Sequence, residues 1–204
     1  MMIMTSDLPL NEFELRDQSR AHKRLMNKAL HYLGRYQASR AKLRVILQRF
    51  AKRKIIKDQQ DNSEEAAIAK AIEDIILLCV EYGYVNDEAL AASRSRSAVY
   101  AGQSARQISA KLKQLGVDDE ITKKALQKRE EEWQDPEWAA ILTAARKKKL
   151  GPFGAPCDFE GQQKQMAKLA RAGFSLDLIR KCLALEDRQT AEDELANAQA
   201  LPQE

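Results

Sequence analysis

One segment of this chain occurs twice. Residues 110–116 begin with Ala-Lys-Leu and end with Gly, and residues 167–173 repeat that pattern 57 positions later. A second similarity, at an offset of 65, aligns residues 39–47 with residues 104–112. Self-similarity at such spacings is typical of repeat proteins, in which small structural units pack in series. The sequence therefore predicts tandem copies of one unit.

Each copy has the composition of helices and the capping residues that begin them. The segments are rich in Ala, Leu, Lys, Arg, Gln and Glu, which favour helix, and the chain has only 8 Gly and 5 Pro. Capping residues precede apolar residues spaced three and four apart. The predicted caps are Ser39, Ser63, Asn86, Ser104, Asp118, Asp135 and Ser175. We predict an all-α fold with nine helices, in which tandem three-helix units form an elongated, curved, solenoid-like body.

The caps and loops divide the chain into five segments. We expect a flexible N-terminal arm at 1–18, a basic first repeat at 19–83, a second repeat at 84–134, a third at 135–185 and an acidic C-terminal tail at 186–204. Residues 58–62 are predicted to be a polar loop within the first repeat.

Acidic and basic residues are strongly segregated. From Arg20 to Lys57 the chain has 13 Lys and Arg and no Asp or Glu. A solvated helix face ordinarily mixes both signs, because like charges four residues apart repel. A second basic stretch runs from Arg94 to Arg129. The net charge is only +4 because acidic segments offset the basic ones. The basic stretches favour a polyanionic partner, either nucleic acid or an acidic protein surface.

A turn followed by a capped helix marks the middle of the chain. Residues 83–91 read Gly-Tyr-Val-Asn-Asp-Glu-Ala-Leu-Ala and precede Arg94 and Arg96, and residues 171–175 read Arg-Ala-Gly-Phe-Ser. In order and spacing these motifs resemble the RecX family, the bacterial regulators of the RecA recombinase. The resemblance covers about residues 25–185. It departs from the family at position 86, which has Asn in place of an acid, and at position 90, which has Leu in place of Phe.

The resemblance implies a regulator of DNA repair and recombination that binds the groove of the RecA nucleoprotein filament and, in the simplest case, inhibits RecA. It also implies that the protein has no catalytic residues and no cofactor. We expect a cytoplasmic monomer, with additional phosphate contacts to single- or double-stranded DNA. The candidate contact residues are exposed cations. The alternative role of exposed Lys and Arg is only to keep the protein soluble. They are Arg40, Lys42, Arg44, Arg94, Arg96, Arg106, Lys111 and Lys113.

The residues themselves offer little for catalysis. The two histidines, His22 and His31, have no carboxylate near them in sequence, and no metalloprotease, hydrolase or phosphate-loop motif occurs. Three widely spaced cysteines predict neither disulfides nor a metal site. We interpret Asp87 as a helix cap, and Trp133 and Trp138 as packing residues. The longest apolar run, six residues, is far below the roughly 20 that a membrane span needs.

Three other functions remain open at this point, and one of them is a helical solenoid that binds an unrelated acidic protein. A helix-turn-helix or sequence-independent DNA-binding protein would act on naked DNA without RecA. An enzyme acting on nucleic acid would need a ligand set for metal, which the sequence does not offer.

Overall fold

The computed structural model describes residues 20–54 and 62–201. Over these residues the chain forms ten α-helices and one short 3₁₀ helix and has no β-strand, which confirms the all-α prediction. The helices are α1 Arg20–Leu33, α2 Arg40–Lys54, α3 Asn62–Glu81, α4 Asp87–Ala101, α5 Ala105–Gln114, α6 Asp119–Glu132, α7 Pro136–Lys148, α8 Phe159–Arg171, α9 Leu176–Leu183 and α10 Arg188–Gln199, with the 3₁₀ helix at Gly151–Phe153. The predicted arm at 1–18 and nearly all of the predicted loop at 58–62 lie outside the described residues.

The chain divides into two compact units, Met1–Leu90 and Ala91–Glu204. In the first unit α1, α2 and α3 pack pairwise against one another. Their apolar residues recur at helical spacing, so that each helix buries one face. Leu25 and Ala29 of α1, Leu43 and Leu47 of α2, and Ile75 of α3 are fully buried in this core.

Helix α7 lies at the centre of the second unit. All seven residues from position 139 to position 145 are buried, whereas a helix at the surface buries only one stripe. Packing by α8, α9 and α10 accounts for this, because each of these helices contacts α7. Trp133 and Trp138 belong to the same core, at 5% and 2% exposure, which confirms that they are packing residues.

The prediction of nine helices was wrong, because the acidic segment after Leu185 contains α10. Asp187 caps this helix by accepting from the N–H of Thr190, and that hydrogen bond lowers the pKa of Asp187. Ala191, Leu195 and Ala198, spaced four and three residues apart, are buried on one face. The segment that the sequence presents as an acidic tail is part of the folded unit up to Ala200.

Two acids of α10 bind α7 directly. Trp138 donates its indole N–H to Glu194 at 3.0 Å, and Arg146 donates to Glu192 at 2.9 Å. At the end of α10, the N–H of Gln134 donates to the carbonyl of Ala200 at 2.9 Å. The acidic composition of this segment therefore serves contacts within the fold.

The helix starts follow local chemistry. Ser39, Ser104, Asp118, Asp135 and Ser175 each accept a hydrogen bond from a backbone N–H two or three residues ahead, as predicted. Pro136 occupies the first position of α7, where a missing N–H costs nothing.

Candidate partner-binding surfaces

A groove between α4 and α5 brings together two of the predicted contact residues. Arg94 of α4 and Lys111 of α5 both line it, and its volume is about 410 Å³. The apolar part of its lining comprises Ala98, Ala101, Ile108, Leu112 and Leu115. Ile108 and Leu112 also belong to the interior, at 1% exposure each, so the groove has an apolar floor with exposed cations beside it.

Helix α5 is held at its start by three hydrogen bonds, which help to position this groove. At its start, the hydroxyl of Ser104 accepts from Gln107 and donates to the carbonyl of Ala172 at 2.7 Å. The N–H of Ala105 donates to the carboxylate of Glu137 at 3.0 Å. At the groove, Lys111 Nζ donates to the Gln103 side chain at 2.8 Å.

The other predicted cations of α4 and α5 lie elsewhere. Arg106 and Lys113 are exposed and share a face of α5 with Ala110, opposite the buried Ile108 and Leu112, in agreement with their spacing. Arg96 lies on the side of α4 toward α6, where it pairs with Glu132 at 3.5 Å. The structure thus places only Arg94 and Lys111 at the groove.

In the first unit the predicted cations differ in whether they are already ion-paired within the fold. Arg40 and Lys42 are exposed in the first turn of α2. Arg44 instead forms a two-pronged ion pair with Glu73, with N–O distances of 2.6 and 2.7 Å. Through the same hydrogen bond, the guanidinium lowers the pKa of Glu73. Arg44 is therefore already paired within the fold.

The interpretation of Asp87 as a cap needs one correction. Asn86 caps α4, by accepting from the N–H of Ala89 at 2.8 Å. The carboxylate of Asp87 is buried and accepts from the N–H of Arg40 at 3.0 Å, so it caps α2, a helix 47 residues earlier. A free N–H group at a helix start carries partial positive charge, which a carboxylate stabilises.

Sequence reasoning identified the cations but missed the groove. Ala98, Ala101 and Leu115 look like ordinary helix residues, and they line one groove only because the fold brings α4 and α5 together there. The signal in the sequence was weak: Leu115 comes directly before the turn at Gly116 and is left half-buried.

No cluster of three His, Cys, Asp or Glu suited to a metal ion occurs within residues 20–54 and 62–201. Burial raises the pKa of the Cys79 thiol to about 11 and that of Cys182 to about 12, so both are unreactive core residues. Among the helices of the described residues, none combines the length and apolar character needed to cross a membrane.

Comparison with known proteins assigns the chain to a family. Models for the second and third three-helix domains of RecX match residues 86–126 and 135–183. The regulatory protein RecX of Myxococcus xanthus is 35% identical over 161 residues, which cover 78% of this chain and 83% of that protein. The chain belongs to the RecX family. The RecX protein of Vibrio parahaemolyticus is 34% identical over 61% of this chain and 74% of its own length.

The fold agrees with a solved RecX structure. The crystal structure of RecX from Lactobacillus salivarius superposes with a TM-score of 0.58 at 21% identity, over 86% of this chain and 97% of that one. The α4–α5 groove, from Arg94 to Leu115, lies inside the residues that match the second RecX domain. The residues of α7 and α9 lie inside those that match the third.

Proposed function

We propose that this protein regulates a RecA recombinase by binding the RecA–DNA filament, and that its effect is inhibitory. Membership of the RecX family supports the proposal, as does the description of its relatives as regulatory proteins. Regulation of this kind needs only preferential binding to one state of the filament, which shifts the balance between assembly and disassembly.

The α4–α5 groove is the observation that carries the proposal. Protein-binding sites combine desolvated apolar contacts at the centre with charged groups at the rim, where charge steers the partner and selects it. The groove has this composition, with Leu112 and Leu115 in its floor and Arg94 and Lys111 beside it. An acidic surface of RecA with an apolar side chain at its centre would match both parts.

The first experiment measures ATP hydrolysis by the cognate RecA on single-stranded DNA, with this protein well below the RecA concentration. The proposal expects hydrolysis to fall. If it rises, the protein regulates RecA but the inhibitory sign is wrong. If it does not change even at equimolar protein that circular dichroism shows to be folded, regulation of the filament is refuted.

A pair of variants tests the groove itself. Arg94→Gln with Lys111→Gln removes both cations at the rim, and we expect about ten times more protein to be needed for the same inhibition. Lys124→Gln with Lys128→Gln is the matched control: it removes two charges without a carboxylate partner among the described residues, both from exposed positions on α6. If both pairs weaken inhibition equally, net charge and not the groove determines binding.

The alternative is a DNA-binding protein that acts without RecA. It is favoured by α1 and α2, which contain no acidic residue and expose most of their Lys and Arg side chains. Binding to naked duplex DNA distinguishes the two functions: tight, sequence-dependent binding with no effect on RecA would favour the alternative. Phosphate contacts alone predict weak binding that does not depend on sequence and falls steeply with salt.

A further inference from the structure

Three cations that the sequence did not single out converge at one place in the second unit. Lys148 at the end of α7 and Lys168 and Arg171 at the end of α8 line a shallow depression of about 580 Å³. Its remaining lining is Gln107, from the first turn of α5, and Ala172. The depression is therefore built by three helices and contains three positive charges.

The three cations have no acidic partner in the described part of the chain. No carboxylate there lies within 4.0 Å of their nitrogen atoms, and Arg171 donates only to the carbonyl of Ala167 in its own helix. Five other surface cations of this unit do have a carboxylate partner. The pairs are Arg96–Glu132, Arg146–Glu192, Lys164–Glu160, Arg180–Asp177 and Arg188–Glu192. The depression thus brings three cations without a carboxylate partner in the described part of the chain together at one place.

Stabilisation of helix ends does not account for this charge. The C-terminus of a helix carries roughly −0.5 of an elementary charge, which favours a nearby cation. Two such ends, those of α7 and α8, supply about −1 in total against three cations. About two positive charges are left over, and their mutual repulsion costs free energy unless an anion binds.

We infer that this depression binds the phosphodiester backbone of DNA. Its lining offers donors to an anion, namely the ammonium groups of Lys148 and Lys168, the guanidinium of Arg171 and the side-chain NH₂ of Gln107. A protein partner would need an apolar or aromatic anchor, and the only apolar residue here is Ala172. Phosphate contacts need nothing more than cations and hydrogen-bond donors on an open surface.

The depression adjoins one of the predicted contact residues. The side chain of Arg106 packs against Gly173, the residue that follows Ala172. Arg106 is exposed on α5, directly before Gln107. A DNA strand bound across the depression would therefore also pass close to a fourth cation, Arg106. The inference rests on the DNA-contact part of the proposed function, and it requires neither RecA nor the α4–α5 groove.

The test is binding of a fluorescent duplex and of single-stranded DNA to the full chain, without RecA, over a series of salt concentrations. Lys148→Gln, Lys168→Gln and Arg171→Gln are combined in one variant. On duplex DNA, log affinity falls with log salt concentration, and each phosphate contact makes this slope steeper by about 0.9. The loss of two or three contacts should therefore make the slope shallower by about 2. At low salt we expect the affinity to fall about tenfold.

A control variant combines Lys123→Gln, Lys124→Gln and Lys128→Gln, which removes from exposed positions on α6 three charges that have no carboxylate partner within the described ranges. The inference holds if only the first variant loses slope. It is overturned if both variants lose the same slope, or if the unaltered protein does not bind DNA. It is also overturned if the first variant loses affinity for polyglutamate but not for DNA, because the depression would then bind an acidic protein. Neither result depends on the RecA assay.

Discussion

The carboxylate of Glu137 holds two other groups in place, and its removal should destabilise the second unit measurably. It accepts from the N–H of Ala105 at 3.0 Å and from Arg129 Nη2 at 3.2 Å. Arg129 is 2% exposed, and its other partner is the exposed Glu130 at 2.9 Å. Glu137 therefore stabilises the start of α5 and also neutralises a buried guanidinium.

The magnitude follows from these two contacts. Loss of a helix cap costs about 1 kcal/mol, and loss of a hydrogen bond to a buried charged group costs about 1.5–3 kcal/mol. Glu137→Ala should therefore cost about 3 kcal/mol. Glu137→Gln retains an oxygen that can accept from Ala105 but removes the charge, and it should cost about 1.5 kcal/mol. In an Arg129→Met background the Glu137 carboxylate has no cationic partner, so Glu137→Gln should then cost less than about 0.5 kcal/mol.

Urea unfolding followed by tryptophan fluorescence measures these differences, because both tryptophans, Trp133 and Trp138, lie in the second unit. Glu131→Gln is the control: it removes the same charge from an exposed position on α6. The unaltered protein, Glu137→Gln, Arg129→Met and the double variant form a double-mutant cycle. The interaction free energy from this cycle should be about 1 kcal/mol. A coupling below about 0.3 kcal/mol, within the usual error of additivity, would show that the two side chains do not depend on each other and would refute this reasoning.

Three further predictions concern single residues. Burial lowers the pKa of His22, against a smaller raising effect of Asp74. Protonation then favours the unfolded chain, so stability falls as pH drops below about 6.5, and His22→Gln should flatten this dependence in circular dichroism. A thiol reagent at about pH 8 should modify the exposed Cys157 at once and the two buried cysteines only after unfolding. Gly102 and Gly83 share a φ of 73°, but a Cβ at Gly102 would lie 2.7 Å from the backbone of Ala144, whereas one at Gly83 meets nothing within 4 Å. In urea unfolding, Gly83→Ala should cost about 1–2 kcal/mol, and Gly102→Ala about 1–3 kcal/mol more; equal costs would contradict the packing argument.

Local features could be predicted from the sequence because their causes are local. The side chains of Ser39, Ser104 and Asp118 cap the helices that directly follow them, and each acts within three residues of itself. The exposure of Arg106 and Lys113 follows from helical spacing against the buried Ile108 and Leu112. Helix type, helix starts and the side facing solvent all depend on interactions of this range.

Features that depend on distant residues could not be predicted in this way. Arg44 pairs with Glu73, 29 residues away, and nothing in the basic segment around Arg44 indicates that partner. The same is true of Asp87, whose partner Arg40 is 47 residues earlier. The segment 139–145, apolar except for Thr143, was a missed signal for α10, because a helix that is almost entirely apolar needs other elements to cover all of its sides.

The two long-range caps follow one rule. In the first, Asp87 from the first turn of α4 holds the start of α2; in the second, Glu137 from the first turn of α7 holds the start of α5. In each case a carboxylate at the beginning of one three-helix repeat stabilises the middle helix of the repeat before it. The middle helix α5 carries Lys111 of the groove and Gln107 of the depression, so the third repeat helps to position these proposed contact residues. Substitutions at Glu137 should therefore weaken partner binding as well as stability, although Glu137 lines neither surface.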